Sequence, residues 1–567
     1  VDLSLLYGHR RSLSRGIVAA VFGAAVMLVT PLAATLTAAQ APSVATTSSG
    51  AASNAFYPDQ AERMVRYIFD TINERYLEPV SVASLAVEGL RGLGSLDGGL
   101  AVVQNGSTLV MTSADRVIAT LPAPAEGSVD GWSKIVVELI SIARAQSPAL
   151  LQADNEAIYE AVFDAMLAHL DHFSRYAGAY EARQHRESRS GFGGVGVRYN
   201  IENTHLNIEE VLPETPAEQA GLKPGDKITA IDGVSVSAIN EQGASIRDRL
   251  RGPINSPLAL SLIRGEEALT VQLRRGLVVP QTVRLEDISD GIARIKLSSF
   301  NQRTTSSLVD AFEQAQSQSE RSLRGVILDM RGNPGGLLDQ AVDVADLFMH
   351  RGRIVFTKGR HPEAAQSYSA RPGDIADHLP MVVLVDGRSA SAAEIVAAAL
   401  QDSGRAVVVG STSYGKGTVQ TVVRLPNDGE MTLTWSRFHS PSGYALHGLG
   451  VLPSVCITTE SEAPSEAIAI SLNGTASLSG AVGVGISGPS APDSDLAASR
   501  QPISVHMAEW RSTPLWDNKA RAHLRAFCPP LNQDKWAADI GAAYELLNDR
   551  ALYSQALSLS GPQSAQR

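Results

Sequence analysis

Cysteine is nearly absent: the 567 residues contain two, Cys456 and Cys528. Such a count allows one disulfide at most, and two unpaired thiols fit it equally. A basic surplus is also missing. Lys and Arg number 48 against 59 Asp and Glu, a formal charge of −11, with no basic stripe, which excludes the electrostatic footprint of a nucleic-acid binder. No convincing metal-ligand cluster is present. His169 and His172 lie three apart beside Asp171, but just before and within the turn-like stretch that runs from Leu170 to Tyr176. Hydrophobic content of 44% with 19% charged residues describes a globular chain, long enough for several domains.

The N-terminal segment is poor in acids, with Asp2 the one carboxylate in its first 39 residues. Arg10, Arg11 and Arg15 precede an apolar run from Ile17 to Ala39 that no acid interrupts, which reads as a signal peptide or a membrane anchor. Ala39-Gln40-Ala41 fits a small-x-small cleavage site, but Pro42 would follow the cut, so cleavage and retention both stay open. The paired arginines lack the flanks of a folded-protein export signal, and no cysteine is near for lipid attachment. The general secretory route is therefore expected, with the protein in the periplasm or cell envelope.

Beyond an Ala/Ser/Thr-rich tether, Met64, Ile68, Ile72 and Tyr76 have helical spacing. Thr108–Thr112 and Arg116–Thr120 are short β-like runs in an insertion over 91–132. Helical spacing resumes over Trp132–Ala145 and Ile158–Leu170. Residues Leu472 to Ser499 are Gly/Ala/Ser/Pro-rich and read as a disordered linker. Trp536, Ile540, Tyr544 and Leu547 predict a helical tail.

Chemistry concentrates in three segments. Ser391 lies in Ser389-Ala-Ser-Ala-Ala-Glu-Ile395, at the start of a helical pattern, and Lys416 lies in Tyr414-Gly-Lys-Gly-Thr-Val-Gln420. A serine and a lysine can form a hydrolytic dyad without histidine, provided burial keeps the amine neutral. A helix N-cap is the plainer reading of such a serine. Gly410 to Lys416 also approaches a phosphate loop. However, Gly417 stands where a magnesium-binding hydroxyl is needed, and β-branched Thr418–Leu425 reads as a strand, not a helix. In the third segment, Val326–Arg331 reads as a buried strand running into Gly332-Asn-Pro-Gly-Gly336, with helical spacing over Leu337–Met349. That arrangement presents free N–H groups at a helix start, where a developing oxyanion is stabilised.

The three segments, with Asp329-Met-Arg-Gly-Asn-Pro-Gly-Gly336 as the third, resemble the carboxyl-terminal processing (tail-specific) proteases, the S41 serine peptidase family, over roughly residues 156–455. The resemblance implies an α/β, crotonase-like core. It implies Ser391 as nucleophile, Lys416 as general base and Gln420 as the residue that holds the lysine. The N–H groups of Ala392 and of Gly335 or Gly336 would form the oxyanion hole. No cofactor and no metal are implied. Pro216-Ala-Glu-Gln-Ala-Gly-Leu-Lys-Pro-Gly-Asp-Lys-Ile228 resembles a bacterial PDZ segment. Gly193, Gly194, Val195 and Gly196 upstream resemble its carboxylate-binding loop, so the implied partners are proteins or peptides with free C-termini. Two departures stand out: His172 occupies a turn position where the family usually has proline, and Ser454 one where it usually has aspartate. In this family an N-terminal helix often carries dimer contacts, which leaves a homodimer and plain core packing as alternatives for 63–76.

The expected organisation is an export segment over 1–41, a linker over 42–55 and an N-terminal helical region with its insertion over 56–189. A PDZ domain over 190–277 and a catalytic core over 278–458 follow, then a low-complexity linker over 459–505 and a helical tail over 506–567. The expected activity is exported serine endopeptidase. The alternatives are a PDZ-bearing binding protein on a dead protease core, against which the retention of Ser391, Lys416 and Gln420 argues, and an acyl-CoA enzyme on the related crotonase core, disfavoured by the PDZ segment and by export.

Overall fold

The computed structural model describes residues 55–243, 245–319, 321–457, 463–473, 502–531 and 537–561. The expected export segment, the tether up to residue 54 and most of the low-complexity stretch lie outside these residues. Among the described residues the chain is a multidomain α/β protein.

Four helices, Pro58–Arg75, Val82–Arg91, Val129–Gln146 and Asn155–Ala168, share one apolar core. Met64, Ile68 and Ile72 enter it from the first helix, and Trp132 and Phe163 from the third and fourth. Ser81, Ser128 and Asp154 start three of these helices, each accepting a backbone N–H from the first turn. The β-like runs form an antiparallel meander of Leu100–Asn105, Thr108–Ser113 and Arg116–Pro122. Its Leu109 and Met111 join the same core, as do Met431 and Leu433 of strand Glu430–His439. The insertion is thus a lid on the helical layer.

The next unit is antiparallel, with strands in the order Glu267–Arg274, Pro257–Arg264, Lys227–Ile231, His205–Val211, Val197–Glu202. The helical turn Pro216–Gln219 stops before Gly221 at φ 71°. Asp226 is buried, accepts the Lys223 N–H at 2.8 Å and binds the Arg264 guanidinium at 2.7 Å. Val197–Glu202 is the terminal strand, so one of its edges is unpaired within the sheet.

The central sheet runs Val283–Ser289, Ile292–Leu297, Gly325–Asp329, Met381–Val385, Val407–Gly410, Val455–Cys456, parallel except for its first pair. Alternate side chains face opposite layers. Val326, Leu328, Val383 and Val408 meet the helices Thr304–Gln318, Leu338–Asp346 and Ala392–Asp402. Ile327, Val382, Leu384 and Val407 meet Pro464–Asn473, Ala537–Asn548 and Arg550–Ser558. Covering both faces is what allows parallel strands to be continuously apolar. A second sheet, Ser367–Ser369, Arg353–Gly359, Glu430–His439, Thr418–Arg424, flanks the first.

The region expected as a linker over 459–505 therefore needs correction. Residues 464–473 form a helix that buries Ala467, Ile468 and Leu472 on the sheet, because those positions share one face at helical spacing. The tail is a packed layer. Trp536 lies outside the described residues. Cys456 and Cys528 form a disulfide that ties the last sheet strand to the end of the tail helix Asn518–Phe527.

Charge is buried where the sheet meets the tail. Arg331 is fully buried, with Nη2 at 2.6 Å from Asp329 Oδ2 and Nη1 at 3.2 Å from Asp539 Oδ2. Lys296 Nζ adds a bond to Asp329 Oδ1 at 3.1 Å. Removing one partner of such a network strands a buried charge at a cost of about 3–5 kcal/mol. Asp329→Ala should lower the core's unfolding free energy by that much, read as a lower urea midpoint. An unchanged midpoint would show that the network contributes nothing.

Candidate active site

Adjacent parallel strands Gly325–Asp329 and Met381–Val385 end side by side, and a tight turn leaves each before a helix begins. Asp386 joins the two turns: its Oδ1 accepts from Gly332 N at 2.8 Å and from Arg388 N and Ser389 N at 3.0 Å. Ser389 is fully buried, with Oγ 2.9 Å from Met330 O and accepting the Asp386 N–H at 2.9 Å. It is a strut of the turn. Ala390 N donates to Asn333 O at 2.9 Å, closing the two turns together.

Ser391 follows at φ 55°, ψ −113°, a left-handed conformation that costs a residue with a side chain about 1–3 kcal/mol. Strand, strained turn and helix start in succession are the geometry that exposes a nucleophilic serine. The serine is half-buried, at the entrance to helix Ala392–Asp402.

A buried carboxylate brings the lysine to it. Glu394 Oε2 accepts from Ser391 N at 2.7 Å and from Lys416 N at 2.9 Å. The two amide nitrogens are thus no further apart than those two bonds placed end to end. Oε1 accepts from Ser413 Oγ at 2.5 Å and Gly415 N at 2.7 Å. Full burial pushes the Glu394 carboxyl up, and these four donors pull it back. Tyr414 N donates to Ser389 O at 2.9 Å, so the lysine loop is also stitched directly to the serine turn.

Lys416 Nζ sits 5.1 Å from the centre of the Phe173 ring and has no hydrogen bond among the described residues. Burial, helped by the positive charge of Arg175, lowers the amine from its ordinary value, while Glu394 and Asp171 oppose the shift. Asp171 itself is fixed by Phe173 N at 2.7 Å and Ser174 N at 2.8 Å. The turn that carries His172 in place of proline therefore forms, since the aspartate side chain holds it without a ring. Ser391 Oγ and Lys416 Nζ are not hydrogen-bonded in this structure; such contacts are often long until substrate arrives.

The expectation that Gln420 holds the lysine is not met here. Its Nε2 donates to Thr418 Oγ1 at 2.8 Å and lies 3.4 Å from Thr434 Oγ1. The ladder shifts register between Val419 and Gln420, and a bulge of that kind re-aims a side chain. Of the two glycines expected at the oxyanion position, Gly335 gives its N–H to Asn333 Oδ1 at 2.9 Å. Gly336 N–H and Ala392 N–H have no partner among the described residues. Gly336 has φ 148°, and a Cβ there would meet Phe300 O at 2.0 Å. Gly335 packs so closely that a Cβ would meet Ser391 Cβ at 2.8 Å and Ala392 N at 3.1 Å, which places the glycine turn directly against the serine.

A second candidate site is the groove of about 550 Å³ between edge strand Val197–Glu202 and helix Ile246–Leu250. Gly194, Val195 and Gly196 line one end, and Tyr199, Leu212 and Leu250 its apolar wall. Gly193 and Gly194 pair with Leu277 and Gly276, whereas the Val195 and Gly196 N–H groups have no partner among the described residues. Arg247 and Arg251 also line the groove.

The model of peptidase family S41 matches residues 291–457, and that of the PDZ domain residues 208–264. A carboxy-terminal-processing protease from Bartonella bacilliformis is 37% identical over 308 residues, 54% of this chain and 70% of the relative. The chain belongs to peptidase family S41. A carboxyl-terminal-processing protease from Synechocystis sp. is 35% identical over 310 residues, 53% of this chain and 71% of that protein. This S41 peptidase carries a PDZ domain and is a C-terminal-processing serine protease. The PDZ match begins downstream of Gly193 to Gly196.

The residue that sequence reasoning passed over is Glu394. Its signal was its place three residues after a helix-start serine, where a carboxylate can turn back to the serine N–H. Glu394→Gln keeps the shape but replaces an acceptor oxygen with an N–H₂ that faces other donors. It should lower kcat by about 10²-fold, the cost of misplacing a reacting group by about 1 Å. Steady-state kinetics of the folded variant check this, and a wild-type kcat would contradict it.

Proposed function

We propose that this C-terminal-processing serine protease is an exported endopeptidase in which Ser391 attacks the scissile carbonyl and Lys416 takes the hydroxyl proton. Lys416 then gives that proton to the leaving amine, and water releases the acyl group from Ser391 by the same route. The N–H groups of Ala392 and Gly336 receive the oxyanion as preorganised donors. The observation that carries the reading is the shared carboxylate oxygen of Glu394, which holds the backbones of Ser391 and Lys416 side by side. The burial that lowers the Lys416 amine favours the neutral base the chemistry needs.

The PDZ groove selects substrates by their C-termini. An extended peptide adds to the free edge of Val197–Glu202, its carboxylate meeting the unpaired Val195 and Gly196 N–H groups and its last side chain the apolar wall. The disulfide between Cys456 and Cys528 supports export, because such bonds persist in oxidising compartments. The apolar run from Ile17 to Ala39 supports it from the sequence.

Two experiments test this reading. Ser391→Ala and Lys416→Arg should both abolish hydrolysis of an unfolded protein, since a guanidinium stays charged. In the wild type, kcat should rise with pH with a midpoint below the ordinary lysine value of 10.5, because the neutral amine is the active form and burial favours it. Full activity in Lys416→Arg would end the dyad assignment. For the PDZ domain, peptides ending in a free apolar residue should be cut faster than their amidated forms, which lack a charged acceptor for the groove's N–H groups. Equal rates would remove C-terminal recognition from the account.

A further inference from the structure

The S41 match stops at residue 457, yet the chain beyond it reaches all three active-site segments. Leu531 O accepts the Gly387 N–H of the serine turn at 2.9 Å. Asp539 binds Arg331, at the start of the glycine turn, at 3.2 Å. The densest contact is on the lysine loop. Arg525, on tail helix Asn518–Phe527, donates through Nη1 to Ser413 O at 3.1 Å and Leu449 O at 2.5 Å, and through Nη2 to Tyr414 O at 3.3 Å. A Cβ on Gly415 would lie 3.2 Å from that guanidinium.

The geometry surrounds the loop. From inside, Glu394 takes Ser413 Oγ, Gly415 N and Lys416 N, the donors of the loop. From outside, Arg525 takes its carbonyls. A planar fork with five N–H groups suits several carbonyls at once, which an ammonium cannot match. The helix that presents the fork is fixed by neighbouring bonds. Arg521 Nη2 donates to Ala445 O at 2.6 Å and His447 O, Trp510 Nε1 donates to Gly450 O at 3.1 Å, and Cys528 is joined to Cys456. Gly448 N in turn donates to Gly415 O at 2.9 Å, so the braced segment is bonded to the lysine loop.

We propose that Arg525 is a positioning residue of the active site: the C-terminal tail supplies the outer half of the clamp that sets where Lys416 stands relative to Ser391. The proposal rests on the reading of Lys416 as the base. It assigns the tail beyond residue 457 a part in the reaction itself.

The charged groups that act on Lys416 are Arg175, Asp171 and Glu394, with Phe173 beneath the amine. Loosening the loop exposes the amine to water and weakens the burial that lowers it. Its titration then moves toward the ordinary lysine value, so the pH profile should move to higher pH.

The test compares wild type, Arg525→Ala and Arg525→Lys as full chains. Active serines are counted with a fluorophosphonate, and kcat per labelled serine is measured across pH. Arg525→Ala should lower kcat per labelled serine about tenfold or more, with KM little changed, and shift the profile to higher pH. Arg525→Lys should recover part of both. Hydrogen exchange of the Gly415 and Lys416 amides, which are bound to Glu394, should quicken in Arg525→Ala. Unchanged exchange overturns the proposal whether or not the protein is a protease. Faster exchange with an unchanged profile and an unchanged kcat per labelled serine also overturns it, since Arg525 would then only pack the tail. If wild type cuts nothing and labels no serine, the protease reading fails, and the exchange arm still decides whether Arg525 holds the loop.

Discussion

One buried carboxylate organises the site. Glu394 is fully buried, where an isolated charge would be costly, and its two oxygens take four donors from the serine turn and the lysine loop. Charge-assisted hydrogen bonds are roughly twice as strong as neutral ones, so the four offset part of the desolvation that burial imposes, which still leaves the carboxyl raised. The result is a fixed relation between two segments that are distant in sequence. The helix that begins at Ala392 supplies Glu394 one turn in, so the strained Ser391 and its clamp come from one element.

The layers explain why that element holds still. The strands that end at the two turns are buried on both faces, by helices of the family core on one side and by tail helices on the other. Every position of Gly325–Asp329 and Met381–Val385 is buried, which leaves little freedom to the turns that follow. Arg331, Asp329, Lys296 and Asp539 add an ionic tie across the sheet's end. The PDZ unit, by contrast, offers a free strand edge, suited to a guest that comes and goes.

Much of this was legible in the sequence. Strand Gly325–Asp329 announced itself in the apolar run into Arg331, and the helices around Met64 and Trp132 by their spacing. Ser391, Lys416 and the glycine turn stood out because helix starts and glycines leave N–H groups free. Four things were not legible. The bulge that turns Gln420 toward Thr418 depends on pairing with Glu430–His439, a long-range register. The use of the Gly335 N–H by Asn333 is a local side-chain choice that leaves Gly336 as the open donor. The tail's helix over 464–473 has an apolar face that gains meaning only once the second face of the sheet is known to need a cover. For Cys456 and Cys528, 72 residues apart, the pairing waited on the fold.

The central claim is that Ser391 is the nucleophile and is activated by a lysine kept neutral through burial. The rate at which a fluorophosphonate labels the protein, followed across pH with the modified residue mapped by mass spectrometry, tests it without any assumption about substrate. The account predicts label on Ser391, at a rate that rises with pH and levels off below the ordinary lysine value of 10.5. Label on another serine, or a rate on Ser391 that climbs with hydroxide and never levels off, would contradict it.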